Sequence, residues 1–242
     1  TLKGYYCIKF QSPFKNQMKI DNCYFCGASG DNYGGNVISF FMGNVLISNT
    51  TFEKTQNAIL EGCDGLHVKD CIFKKQNESG MYFRKTIFGI EDDMKIDGLF
   101  NYISRGEVKN CIFSDNPYDV KLYWGSAPRF KNCQFLSNQN IMSTGGSLFF
   151  SHPSNTYTGS ITNSKSWFVK YSEITINLQN ISNVTVLIEN LDEDIEHTDF
   201  ITDSKTLCLP YYINSGVTHS ERYFPNYKIT LFKEGYKPYS FR

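Results

Sequence analysis

Apolar residues in the first two thirds of this chain recur in a short phrase, with neither a helical period nor an unbroken alternation. The phrase runs apolar residue, spacer, Asn or Asp, small residue, variable residue, then usually Phe. It reads Ile20-Asp21-Asn22-Cys23-Tyr24-Phe25, Ile47-Ser48-Asn49-Thr50-Thr51-Phe52, Val68-Lys69-Asp70-Cys71-Ile72-Phe73, Val108-Lys109-Asn110-Cys111-Ile112-Phe113 and Phe130-Lys131-Asn132-Cys133-Gln134-Phe135, with a faded copy in Ile161-Thr162-Asn163-Ser164-Lys165-Ser166. Steps between successive Asn/Asp positions are 27, 21, 40, 22 and 31 residues, the spacing of turns in a solenoid. Asn and Asp best tolerate a left-handed backbone among non-glycine residues, so each phrase predicts two short strands joined by a bend. After the bend, the small residue and the Phe are two apart and point to one face, with the variable residue on the other. The predicted inward columns are therefore Ile/Val/Phe, Cys/Thr/Ser and Phe. The Asn/Asp column is expected to form a ladder of side chains that satisfies the backbone of a buried bend.

A second strand-like run usually precedes the phrase: Asn36 to Phe41, Ala58 to Glu61, Asp119 to Trp124 and Gly146 to Phe150. Polar stretches such as Ser114 to Pro117 and Leu136 to Asn140 read as turns. Two or three strands in each repeat of roughly 22 residues, without helical periodicity, predict an all-β chain wound as a right-handed parallel β-helix. The six phrases resemble the coils and asparagine ladder of the pectate-lyase-like superfamily, over about residues 5 to 168. That resemblance implies the fold and leaves the activity open, because the fold carries lyases, hydrolases, epimerases, tailspikes and inert surface proteins. The 40-residue step from Asp70 to Asn110 holds either two short coils or one coil with an excursion. The excursion, around Arg84 to Asp97, is favoured; Ile96-Asp97-Gly98-Leu99-Phe100 reads as a displaced copy too close to Phe113 to be a full coil.

Near Trp167 the pattern changes. Ile174 to Leu178, Val184 to Ile188, Thr206 to Leu209 and Tyr227 to Phe232 alternate with longer polar spacers, as in an antiparallel β-sandwich. Asn183 to Asn190, Phe200-Ile201-Thr202-Asp203 leading into Leu207-Cys208-Leu209-Pro210, and Tyr227 to Tyr236 resemble the carboxypeptidase-regulatory-like, transthyretin-like sandwiches, with Ser204-Lys205 where a glycine usually follows. The resemblance implies a non-catalytic spacer or adhesion module on an exported protein. The expected domains are residues 1–168 and 169–242, the second covering the open end of the solenoid. Thr1 at the start and Tyr239-Ser240-Phe241-Arg242 at the end read as the limits of a mature form or of a piece of a longer polypeptide.

Composition narrows the functional classes. The 242 residues carry no net charge, which removes any general attraction to nucleic acid, and no apolar run is long enough to insert into a membrane. Four of the eight cysteines, Cys23, Cys71, Cys111 and Cys133, share one repeat column and read as packed free thiols. Cys23 and Cys26, with Cys7 as a third ligand, make only a lone Cys-x-x-Cys, so no metal and no cofactor is expected. Sequons at Asn49, Asn77, Asn180 and Asn183 add a slight pointer to the cell exterior, although Asn49 is expected in the ladder.

Candidate chemistry lies between the phrases. Glu61, Arg84, Arg105 and Lys121 come from successive pre-phrase strands or their ends, and together with Tyr123 and Trp124 they form the candidate carbohydrate-binding set. The competing reading places Tyr123 or Trp124 in the core and leaves the charges scattered; a one-residue register shift separates the two. Catalysis by a lyase would need calcium-binding acids and an Arg or Lys base, and a glycosidase would need two carboxylates about 5 to 9.5 Å apart. The consecutive Glu91-Asp92-Asp93 reads instead as a solvated acidic turn, and neither His67 nor His152 neighbours a nucleophile. The reading is thus a non-enzymatic structural or adhesive module of an extracellular, cell-surface or virion-surface protein, with surface glycans or copies of itself as partners. A polysaccharide-binding or polysaccharide-degrading β-helix and a phage-type trimeric spike are the alternatives.

Overall fold

The computed structural model describes residues 6–10, 17–27, 36–40, 44–61, 66–84, 106–123, 127–193, 195–216 and 218–242. Every element in them is a strand, and most of the chain winds through three parallel sheets in turn. The first sheet stacks β1 (Tyr6–Phe10), β4 (Asn36–Phe40), β7 (Asn57–Glu61), β10 (Ser79–Arg84), β13 (Tyr118–Tyr123), β16 (Gln139–Thr144) and β19 (Ser160–Ser164). The second begins with β2 (Gln17–Asp21), β5 (Asn44–Ser48), β8 (Leu66–Lys69), β11 (Glu107–Lys109), β14 (Arg129–Lys131), β17 (Leu148–Ser151) and β20 (Trp167–Asn177). The third holds β3 (Tyr24–Cys26), β6 (Thr51–Glu53), β9 (Ile72–Lys74), β12 (Ile112–Ser114), β15 (Gln134–Phe135) and β18 (Thr156–Tyr157). Each strand pairs in parallel with its counterpart one turn on, which makes a solenoid-like coil.

The phrase bends as its chemistry demands. Asn22, Asn49, Asp70, Asn110 and Asn132 all have φ between 48° and 55°. The small residue that follows satisfies the bend. Cys71 and Cys111 thiols each donate to the carbonyl two residues back at 3.2 Å, Cys133 does so at 3.4 Å, and the Thr50 hydroxyl does so at 2.7 Å. From Thr50 to Cys133 the column is thus small, buried and a hydrogen-bond donor, and Cys23, Cys71, Cys111 and Cys133 are free thiols. Two residues beyond the Phe, a second left-handed bend falls at Gly27, Lys54, Lys75 and Asp115. The third-sheet strands β3, β6, β9 and β12 are each held between two such corners.

Inside the coil the Phe column is one continuous stack. Ring centroids from Phe25 through Phe52, Phe73, Phe113 and Phe135 to Tyr157 lie 5.3, 5.0, 4.7, 5.1 and 4.9 Å apart. Burying each ring contributes about 1.5–3 kcal/mol and each offset contact about 0.5–1.5 kcal/mol more. Gly80 gives this stack its room, since a Cβ there would lie 2.8 Å from the Phe113 ring and 2.7 Å from the Asp119 carbonyl oxygen.

Four expectations change. The Asn/Asp ladder exists in part, with Asn49 Nδ2 3.0 Å from Asp21 Oδ1, Asn110 Nδ2 2.9 Å from Asp70 Oδ1 and Asn132 Nδ2 3.2 Å from Asn110 Oδ1, but its rungs lie on the surface. The buried polar ladder runs along the other corner, through Thr55, Gln76, Asn116, Ser137, Asp119 and Asn140. There Gln76 Oε1 accepts from Thr55 N, Asn116 Oδ1 from Gln76 N and Ser137 Oγ from Asn116 N, at 2.9–3.0 Å. Ile161 to Ser164 belongs to the first sheet, with Ile161 opposite Ile141 and the positive φ at Lys165, so the sixth copy of the column is Tyr157. Leu148 to Phe150 sits in the second sheet; the first-sheet strand of that turn is β16, whose first two residues, Gln139 and Asn140, fall in the stretch read as a polar turn.

Asp70 and Asn110 stand on adjacent turns, because β8 pairs with β11 and β10 with β13. The long step is therefore one turn with an excursion; Glu91-Asp92-Asp93 and Ile96 to Phe100 lie outside the described residues.

After β20 the strands run antiparallel: β21 (Val184–Asn190), β22 (Ile195–Ile201), β23 (Ser204–Ser215), β24 (Ser220–Tyr223), β25 (Tyr227–Phe232) and β26 (Tyr239–Phe241). β23 pairs along all of β20 and β24 follows it, so both extend the second sheet, while β22, β21, β25 and β26 make a fourth. Leu148, Phe150, Trp167 and Val169 alternate with the inward Phe149 and Phe168, and so face away from the coil. They are buried all the same, in a cluster with Val186, Ile188 and Ile229 of the fourth sheet. The expected boundary at residue 168 falls inside β20, a strand shared by both regions.

Candidate functional site

Of the residues that sequence reasoning selected, Lys121 and Tyr123 stand on the outer face of the first sheet. Register places Leu60, Tyr82, Lys121, Met142 and Thr162 in one row, and Arg84, Tyr123, Thr144 and Ser164 in another. Between them runs the row of Phe83, Leu122 and Ser143, all buried, so Lys121 and Tyr123 stand on the outer side. Glu61 is the last residue of β7, in register with Phe83, and Arg84 is the last residue of β10, in register with Tyr123. Arg105 and Trp124 lie outside the described residues.

Lys121 and Tyr123 sit within a polar and aromatic patch. Lys121 Nζ is 2.9 Å from Glu78 Oε1 and 4.5 Å from the centre of the Tyr118 ring. Glu78 Oε2 accepts from Gln56 Nε2 at 3.0 Å and from Asn57 Nδ2 at 3.2 Å. Half-burial would raise the Glu78 carboxyl, but the bonds from Lys121 and Gln56 outweigh it and hold the group below its ordinary range. Tyr82 and Tyr123 meet edge to face at 5.3 Å, and the Tyr123 hydroxyl lies 3.7 Å from Met142 Sδ. Tyrosine faces beside a paired acid and base suit contact with a polyhydroxylated surface. Glu78, already spoken for by Lys121, is poorly placed to act as an acid or a nucleophile.

Sequence reasoning missed a second concentration of charge, on the outer side of the second sheet. Arg129 and Lys131 of β14, Glu107 of β11, Glu173 of β20 and Cys208 of β23 gather there. Arg129 Nη2 is 3.3 Å from Glu107 Oε1, Arg129 Nη1 is 2.8 Å from Cys208 Sγ, and Lys131 pairs with Glu173. Tyr171 is fully buried beside them, its hydroxyl donating to the Phe130 carbonyl at 3.2 Å, and His152 packs edge to face on its ring. Burial pushes the Cys208 thiol up to about 11, so it stays protonated and unreactive at neutral pH. Two cations and two carboxylates balance, and the set ties coil to C-terminal strands. The alternation Arg129-Phe130-Lys131 carried the only sequence signal, an outward basic pair, and its acidic partners come from far along the chain.

No protein family, curated protein or solved structure matches the chain. Among the described residues, no group of three or more His, Cys, Asp or Glu side chains is arranged to hold a metal ion.

Proposed function

We propose that the chain is a non-enzymatic structural and adhesive module of an extracellular, cell-surface or virion-surface protein. In this reading residues 1–168 are a right-handed parallel β-helix of the pectate-lyase-like kind. Residues from 169 onward form a β-sandwich of the carboxypeptidase-regulatory-like kind docked on it. The outer face of the first sheet meets surface glycans or neighbouring copies of the protein.

One observation carries the proposal: charged side chains of the coil are used to tie one turn to the next. Glu53 pairs with Lys74 at 3.2 Å, Glu78 with Lys121 at 2.9 Å and Glu107 with Arg129 at 3.3 Å. Each pair crosses between adjacent turns, and the buried Asp119 serves the inner ladder. Such pairing stiffens a stalk, and the Glu53 and Glu78 carboxyls lie below their ordinary range, where a general acid would need a raised one.

The test joins a glycan array to reducing-sugar and unsaturated-uronate assays on a panel of polysaccharides, with light scattering for the oligomeric state. Binding without turnover supports the proposal. Turnover that disappears in Glu61→Ala or Arg84→Ala would overturn it in favour of a polysaccharide-degrading enzyme, and a stable trimer would favour the spike.

A further inference from the structure

The layer between the second and fourth sheets is not filled throughout. A cavity of about 540 Å³ opens there, within the size range of small-ligand sites. Leu209, Tyr227 and Ile229 line it and are buried, while Tyr211, Ser172 and Asn226 are partly or fully exposed.

We propose that this cavity binds one or two rings of a neutral glycan. The site is separate from the first-sheet face and does not depend on it. Two features select the ligand class.

Polar groups at the rim are fixed in place. Asp192 accepts from Asn226 N at 3.0 Å and from Asn226 Nδ2 at 2.7 Å, which orients a carboxylate and an amide oxygen together at the mouth. An alkyl chain would desolvate that carboxylate without compensation; vicinal hydroxyls would donate to it. Arg242 also lines the mouth, so the rim carries one charge of each sign, which suits an uncharged ligand.

The aromatic wall supplies the remaining contact. Tyr211, Tyr227 and Phe241 are the aromatic residues of the lining, and Tyr223 lies 6.4 Å from Tyr211 outside it. A pyranose presents C–H groups on its ring face and hydroxyls at its edge. The first suit Tyr211 and the apolar floor, and the second suit Ser172, Asp192 and Asn226.

The experiment titrates the full chain with neutral gluco-, manno-, galacto- and N-acetylglucosamine oligosaccharides and with an oligogalacturonate, read by saturation-transfer NMR and calorimetry. At least one neutral oligosaccharide is expected to bind with a dissociation constant below about 1 mM, and more tightly than the uronate. Tyr211→Ala and Ser172→Leu, the latter filling the cavity, are expected to weaken it at least about tenfold. Tyr211→Phe and Asn226→Ala supply variants of smaller bulk change, each checked for an unaltered melting temperature. Lys121→Ala and Tyr123→Ala should leave this binding unchanged. Absence of neutral-glycan binding, preference for the uronate, or loss in Tyr123→Ala with Ser172→Leu unaffected would each overturn the assignment.

Discussion

Asp119 is the buried acid on which the inner ladder converges, and replacing it by alanine makes the sharpest test of how that ladder works. Its side chain has no exposure. It accepts from Asn116 Nδ2 and Asn140 Nδ2 at 3.0 Å, from Ser137 N at 3.2 Å and from the Ser137 hydroxyl. In Asp119→Ala, Asn116 Nδ2 keeps the Phe73 carbonyl at 3.1 Å and Asn140 Nδ2 keeps the Ser137 carbonyl at 2.6 Å. Ser137 N–H loses the carboxylate, and a buried orphan donor costs about 1–3 kcal/mol. Two weakened rungs bring the expected loss to roughly 3 kcal/mol when the acid is protonated.

The pH dependence fixes the sign. Burial raises the Asp119 carboxyl above its ordinary value even against those four donors. Its contribution is therefore fully present below the unfolded carboxyl range, about pH 4, and is lost as pH rises through the folded value. Urea unfolding of wild type and Asp119→Ala across pH 4 to 8, as approximate limits, should show a larger deficit at the acid end. A deficit that grows toward neutral pH would refute the reasoning and make the anion itself the strut.

Three further substitutions probe the coil. Phe113→Ala removes a ring stacked on both sides and should cost about 3–5 kcal/mol in denaturant unfolding; a loss below about 1 kcal/mol would mean the column is not tightly packed. Gly80→Ala should cost about 1–3 kcal/mol by overpacking against Phe113 and the Asp119 carbonyl, read as a lower calorimetric midpoint. Lys75→Gly should stabilise by up to about 1 kcal/mol, because Lys75 holds φ 54° and the left-handed penalty of about 1–2 kcal/mol exceeds the extra unfolded freedom of glycine. For a chain of this size that is about 2–4 °C in Tm, and a lower Tm would show that the corner depends on the lysine side chain.

The corners show where the sequence speaks and where it is silent. Asn22, Asn49, Asp70, Asn110 and Asn132 announce their bends because their residue types favour positive φ. Lys54 and Lys75 adopt the same backbone with nothing in their chemistry to say so, held by strand pairing on both sides. The inward Phe and Cys columns follow from two-residue alternation. Gln76, Asn116, Ser137 and Asn140 do not, because a polar stretch that turns inward looks the same as one that turns outward until its partners one turn away are known. Of the candidate site, the outward placement of Lys121 and Tyr123 was legible as one of two registers, and β10 and β16 decide it. The Glu107, Arg129, Lys131, Glu173 and Cys208 set was not legible, because its members span three strands of the coil and a strand that returns after the fourth sheet has begun.

Strand β23 has a consequence for growth. A stack of parallel turns is a template, since its last turn offers the same evenly spaced hydrogen-bonding groups that the one before it offered. By running the opposite way along all of β20, β23 occupies that edge with an antiparallel strand, and β24 continues the antiparallel order beyond it. At that end of the second sheet, end-to-end addition of another copy stops at the first strand. Head-to-tail stacking of this chain through the second sheet is therefore blocked, because every such contact would need that end.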